Sequence, residues 1–466
     1  MKENQRERNG RIQGSFRDPD GFLFLRDNVL YRQVNQNGKE KYDLFIKSGL
    51  YDELTKSTML IPHDEVSILP ETEEAYIIIK PVRIPLITYP YEWSFSQLKD
   101  AALLTLRMQY VAFRHGMSLK DASAYNIQFY KGRPIGIDTL SFEPYAVGKP
   151  WVAYRQFCQH FLAPLLLMSY TDIRLQSLLR TNIDGIPLDL VSRLLPRRTW
   201  TKFSILSHIH LHARYQQRYA DAGELVVQKK SEREIQLAPL LENLSSLIQK
   251  LKPHGQKTEW ATYYKETNYT DTAFVKKKKL VESFVRAIAP QVVWDIGANT
   301  GVFSRVAVKA GAEVVSFDID PIAVDVNYRM VQKEREGHIL PLTLDLTNPS
   351  PSLGWSHEER LSLIARSANV DCVLALALIH HLAISNNLPF EYIAEFFAHI
   401  APVLIIEFVP KEDSNVKRLL VTREDIFPHY TKEGFEKAFS AFFSLEESSF
   451  IEGSTRILYR MKRKDI

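Results

Sequence analysis

The stretch Val292-Val293-Trp294-Asp295-Ile296-Gly297-Ala298-Asn299-Thr300-Gly301 constrains this chain more than any other. An apolar run ends in an acid, turns through glycines, and opens an amphipathic helix over 302–311. Such runs belong to parallel strands buried on both faces. A strand that feeds a glycine turn at a helix start is the layout of nucleotide-binding α/β sheets. A second apolar run, 314–317, ends at Asp318. An acid about 20 residues beyond the turn is placed to bond the ribose hydroxyls of an adenosine cofactor.

The dinucleotide fingerprint G-x-G-x-x-G seats a pyrophosphate on a helix N-terminus. Here the spacing is G-x-x-x-G, with Asn299 where a middle glycine would stand. Asp295, at the strand end, would repel a pyrophosphate. A cofactor with adenosine, an ammonium and no phosphate suits it better, and S-adenosylmethionine has all three properties. At these residues the chain resembles the class I S-adenosylmethionine-dependent methyltransferases, whose first motif reads D/E-x-G-x-x-x-G.

The resemblance runs in register from 288 to 464. It implies a doubly wound, Rossmann-like sheet, mostly parallel, closed by an antiparallel hairpin. It makes Asp318, followed by Ile319, the ribose acid. Asp345, followed by Leu346, ends the third strand beside the adenine amino group. The fourth strand, 371–376, contains Ala375, and the loop after it carries His380 and His381. The fifth strand, 403–406, ends at Glu407. The final strands, 444–450 and 455–461, join around Glu452 and Gly453. The cofactor set implied is Asp295, Gly297, Asn299, Gly301, Asp318, Ile319, Asp345, Leu346, Ala375 and Tyr269.

A length of 466 residues predicts two or three domains. The net charge of +4 gives no strong nucleic-acid signal. Cys158 and Cys372 offer neither a disulfide framework nor zinc spacing, and no metal site is expected. Residues 1–10 are polar, unlike a signal peptide. The longest apolar run, 161–168, is too short to cross a bilayer. A cytoplasmic enzyme is the expectation, and nothing points to an oligomeric state.

The N-terminal half carries a second constellation. Asp27 and Asn28 separate two strand-like runs, 22–26 and 29–34, as in a hairpin. A helix is predicted over 42–56, a strand over 75–80, and a long helix over 96–115. Then come Asp121, Asn126 five positions later, and Asp138 after a short strand pair. In kinases such an Asp orients the acceptor hydroxyl, while the Asn and the second Asp hold magnesium. The region 21–220 resembles the protein-kinase-like fold, closer to aminoglycoside or choline kinases than to protein kinases. It departs from that pattern in three ways. No glycine-rich phosphate loop lies near the first hairpin. No V-A-I-K lysine is present, so Lys39, Lys41 and Lys47 are candidates by position alone. Thr139, not Phe-Gly, follows Asp138. An α+β kinase-like platform without turnover is the expectation, with ATP-magnesium as the alternative cargo.

The expected organisation is a polar tail at 1–15, a kinase-like domain at 16–235, a helical and aromatic-rich linker or lid at 236–285, and a methyltransferase domain at 286–466. The aromatic lead-in 260–269 would exclude water from a cationic methyl donor. Lys276 to Lys279 read as a solvated helix face. His380 or His381 could serve as a base near neutral pH, and Glu407 could bind an amine or orient a hydroxyl. The function expected is methyl transfer from S-adenosylmethionine to an unidentified acceptor. The alternatives are phosphotransfer at Asp121, Asn126 and Asp138, alone or as a second activity, and an N-terminal half that only binds a partner.

Overall fold

The computed structural model describes residues 10–212, 237–255, 271–367, 369–421 and 424–465. The chain divides into two compact units. Unit 1 comprises Met1–Gln256 together with Ser352–Arg360, and unit 2 comprises Lys257–Pro351 and Leu361–Ile466. The helix Leu237–Lys250 falls in unit 1, and the helix Asp271–Ile288 falls in unit 2.

Unit 1 opens on a five-stranded antiparallel sheet. Its strands are β1 (Gly10–Arg11), β2 (Gly21–Arg26), β3 (Val29–Asn35), β4 (His63–Val66) and β5 (Ala75–Pro81), in the order β1-β2-β3-β5-β4. The β2–β3 hairpin pairs Arg26 with Val29, leaving only Asp27 and Asn28 in the turn. Both have positive φ, 51° and 62°, which is the two-residue turn whose twist matches the strands it joins. The single helix expected over 42–56 is two helices, Lys39–Lys47 and Leu50–Lys56. Gly49, at φ 78°, breaks them because the left-handed region suits a residue without Cβ.

The long helix Phe95–Arg114 starts at a capping box. Ser94 accepts the Gln97 N–H, and the Gln97 side chain accepts the Ser94 N–H. After it come β6 (Met117–Leu119), the hairpin β7 (Ile127–Tyr130) and β8 (Arg133–Gly136), and β9 (Phe142–Pro144), which pairs with β6. These short strands carry Asp121, Asn126 and Asp138 in the loops at their ends.

Unit 2 is a seven-stranded sheet. Its strands are β10 (Val292–Ile296), β11 (Glu313–Asp318), β12 (Ile339–Thr343), β13 (Cys372–Ala375), β14 (Val403–Phe408), β15 (Phe443–Phe450) and β16 (Ile457–Arg463). They run in the order β12-β11-β10-β13-β14-β16-β15. The first five pair parallel, and β16 pairs antiparallel with both β14 and β15. The mostly parallel sheet and its terminal hairpin are as expected. All four residues of β13 are buried, as a central parallel strand requires. Strand order reverses between β10 and β13, and open α/β sheets bind ligands at the carboxyl ends of the strands beside such a reversal.

Candidate functional site

At the end of β10 the chain enters the glycine loop. Gly297, Asn299 and Gly301 all have positive φ, at 79°, 52° and 77°. Gly301 is also required sterically, since a Cβ there would lie 2.5 Å from the Asn327 side chain and 2.7 Å from Arg305. Gly297 is needed for its φ; its nearest neighbour would be Leu378 at 3.5 Å. Arg305 fixes the loop from below. It donates to the Thr300 and Gly301 carbonyls at 2.9 and 3.0 Å and is itself held by Glu336.

Two acids face each other across this turn. Asp295, at the end of β10, is buried and accepts the Ser304 hydroxyl at 2.6 Å. Asp318, the last residue of β11, accepts the Asn299 N–H at 2.7 Å and the Asp320 N–H at 2.9 Å. Burial is the main cause that pushes each carboxyl up to about 6. The charge of Asp318 adds to the rise at Asp295, while hydrogen bonds to each group oppose it. Ile319 is 61% exposed beside Asp318, an apolar side chain left open at the rim. Asp345 lies two residues past β12, where it accepts the Thr347 N–H and hydroxyl at 2.9 and 2.7 Å. Leu346 follows it, half-buried, and Ala375 closes β13, buried. The parallel registers of β10, β11, β12 and β13 bring these residues to one edge of the sheet. Tyr269 and the aromatic lead-in 260–269 lie outside the described residues.

Beside this crevice Glu407, named from the sequence, sits in a buried chain of charges whose other members sequence reasoning missed. Lys277, 3% exposed, donates to Glu407 at 2.6 Å. Arg456 lies 3.5 Å from the other Glu407 oxygen and grips Asp413 at 2.7 and 3.1 Å. Asp413 in turn caps the helix Ser414–Leu420. The expected solvated face of Lys276 to Lys279 is thus corrected at Lys277. That residue falls at helical spacing from Phe274, Val281, Phe284 and Val285, on the stripe that faces the core. A lysine at a core position of the stripe was the available signal. Glu407 is fully buried between its two cations, not open to solvent.

His380 is also buried, and neither ring nitrogen has a hydrogen-bond partner. Burial, His381, Arg456 and Lys277 hold it well below the usual histidine range. Burial, Arg456 and Arg418 lower His381 to about 4. Both imidazoles are therefore neutral near pH 7.

In unit 1 the structure brings Asp121, Asn126 and Asp138 to one small cleft, with Ser123 and Ser141. Asp121 accepts Gln156 Nε2 at 2.8 Å and the Ser123 N–H at 2.9 Å. Asp138 is bonded by the Ser141 hydroxyl and the Leu140 N–H, and its cation is Arg32 of β3. None of the lysines nominated by position takes that place. Lys39 stacks on Tyr76, Lys41 pairs with the buried Asp20, and Lys47 pairs with Asp43. Arg32 shares the alternation of Leu30 and Val34, so a charged residue at an inward strand position was the signal. Among the described residues no group of three or more His, Cys, Asp or Glu side chains is arranged to hold a metal ion, and no described helix is long and apolar enough to cross a membrane.

The strand order, its reversal at β10 and β13, and two acids flanking a left-handed glycine loop make unit 2 a mostly parallel, Rossmann-like α/β sheet with a ligand crevice at the reversal. No protein-family profile matches the chain. The nodulation protein NoeA of Rhizobium meliloti (strain 1021) is 38% identical over 468 residues, spanning 98% of this chain and 97% of NoeA. The chain belongs to the same family as NoeA.

Solved structures give partial matches. Magnesium protoporphyrin IX methyltransferase (ChlM) from Synechocystis PCC 6803, with bound SAH, is 20% identical, covers 44% of this chain and 93% of its own, and has a TM-score of 0.30. The PH0226 protein of Pyrococcus horikoshii OT3 is 18% identical over 43% of this chain and 98% of its own, at 0.31. The bifunctional kinase-methyltransferase WbdD is 17% identical over 41% of this chain and 40% of its own, at 0.28.

Proposed function

We propose that the protein transfers a methyl group from S-adenosylmethionine to an acceptor, with unit 2 as the enzyme and unit 1 as a platform that binds the acceptor or a partner. The observation that carries the reading is the crevice in which Asp295, the left-handed loop Gly297 to Gly301, Asp318 and Asp345 meet at the strand ends. On this reading Asp318 binds the ribose hydroxyls, with Asn299 N–H fixing its carboxylate. Ile319 packs on the adenine and Asp345 reaches its amino group. Leu346 and Ala375 line the walls, Asp295 attracts the ammonium of the cofactor, and Tyr269 belongs to the cover.

Methyl transfer is an in-line displacement, so holding the sulfonium and the acceptor in line supplies much of the acceleration. His380 and His381 follow the strand nearest the expected methyl group. Their depressed basicity makes them weak proton acceptors, better suited to accept a hydrogen bond from an acceptor hydroxyl or amine and so to orient it. Glu407, neutralised by Lys277 and Arg456, acts on this reading as a positioning residue behind them.

Calorimetry of the full chain with S-adenosylhomocysteine tests the proposal. One site is expected, weakened about tenfold or more in Asp318→Ala, the loss of a charge-assisted bond worth about 1.5–3 kcal/mol. Gly297→Val should weaken it further through backbone strain. His380→Gln should bind the product normally and slow transfer. A folded wild type without affinity for the product would end the methyltransferase reading.

A further inference from the structure

The likeness of unit 1 to kinases implies a nucleotide held on magnesium by Asp121, Asn126 and Asp138. The groups around those three residues do not fit that cargo. We propose that Arg32 stands, as a permanent internal cation, where the magnesium would sit, and that unit 1 binds neither the metal nor a nucleotide through it.

A magnesium ion takes six oxygens in near-ideal octahedral geometry and is usually bound through carboxylates and phosphates. One oxygen of Asp138 already accepts Arg32 Nη1 and the Leu140 N–H, and the other accepts the Ser141 hydroxyl. The Asn126 side-chain NH2 donates to Ser141 Oγ at 3.2 Å, and Asn126 also bonds the Asp121 carboxylate. Asp121 is engaged by Gln156 and Ser123. Burial first, and the neighbouring Asp138 second, raise its carboxyl above the ordinary range. Burial works against ionisation of Asp138 as well, yet Arg32, Ser141 and the Leu140 N–H outweigh it and hold the group below the ordinary range.

Charge leads to the same conclusion. Asp18, Asp20, Asp121 and Asp138 are set against Arg32, Lys41 and Lys120. Arg32 spans Asp138 and Asp18, reaching the latter at 2.9 Å, and both lysines grip Asp20. Each cation that would receive a phosphate is already paired. The turn that would cradle phosphates holds only Asp27 and Asn28. The Arg32 fork also does what a bound ion does mechanically, tying β3 to the loop after β8.

Manganese, read by the resonance of the free ion, tests the proposal on the full chain with and without ATP. Wild type should leave the ion free up to millimolar concentration in both cases. Arg32→Ala should gain one site, and Asp138→Asn in that background should abolish it. Stoichiometric binding by wild type that is lost in Asp138→Asn would overturn the proposal. A folded Arg32→Ala that gains no site would also overturn it, because the arginine would then replace nothing. If Arg32→Ala melts early, millimolar manganese should restore its transition, and failure to do so counts against the proposal as well.

Discussion

Asp295 and Asp318 are acids kept partly protonated near pH 6 by their own surroundings. Their folded pKa values lie above the ordinary carboxylate value. Between about pH 4 and 6 the folded protein therefore holds more protons than the unfolded chain. The stability this contributes is present at low pH and is lost as pH rises through 6. A cationic cofactor reverses the preference, because it favours the ionised acids. Binding should thus release protons at pH 6, seen as a dependence of the calorimetric heat on buffer ionisation enthalpy. Affinity should fall about tenfold per carboxylate between pH 7 and 5. A heat independent of buffer would show that neither acid changes its protonation on binding. At this scale the sequence was informative where spacing alone carries meaning. Asp295, Gly297, Gly301, Asp318 and Asp345 are separated by turns and strands of predictable length. Ser304, which holds Asp295, left no such trace, because a serine one turn into a helix is ordinary until its partner is seen.

The helix Asp271–Ile288 and strand β14 are tied by the buried pair of Lys277 and Glu407. Removing Lys277 leaves the buried Glu407 with Arg456 alone, at 3.5 Å, so Lys277→Ala should cost about 3 kcal/mol in denaturant unfolding. Lys277→Met with Glu407→Leu removes both charges and should cost clearly less than the two single changes added together. Equal and additive losses would show that the pair is not coupled. Elements of this kind were legible where their periodicity was clean. The β2–β3 hairpin, the helix Phe95–Arg114 and the parallel strands all match the runs read from the sequence. The helix expected over 42–56 failed because Gly49 adopts a left-handed turn. A glycine inside an apolar-periodic stretch costs helix only about 1 kcal/mol, so pattern alone does not show that it breaks one. Lys277 and Arg456 meet Glu407 across intervals of more than a hundred and nearly fifty residues. No local window contains both ends of such a contact.

At the scale of the whole molecule, the chain changes unit three times: after Gln256, after Pro351 and after Arg360. The middle excursion, Ser352–Arg360, leaves the sheet unit just beyond Asp345 and is built into unit 1. There Glu359 is buried and bonded by Arg17 at 2.8 and 3.0 Å, and the Arg360 guanidinium lies 4.2 Å over Tyr125, the neighbour of Asn126. The excursion pinches shut on itself, with Leu353 and Arg360 exchanging backbone bonds. A chain of residues 257–466 alone should therefore melt lower and exchange its amides faster around 345–366 than the same region in the full protein. Deleting 353–359 from that fragment should recover part of the loss. An unchanged exchange pattern would show that the excursion needs no partner. The two halves are spliced, not strung: one lends the other a finger of its own backbone. Tandem enzymes joined by a single tether can trade partners by recombination at that tether. This chain offers no such cut, because each half, copied by itself, would carry a gap or an orphaned loop.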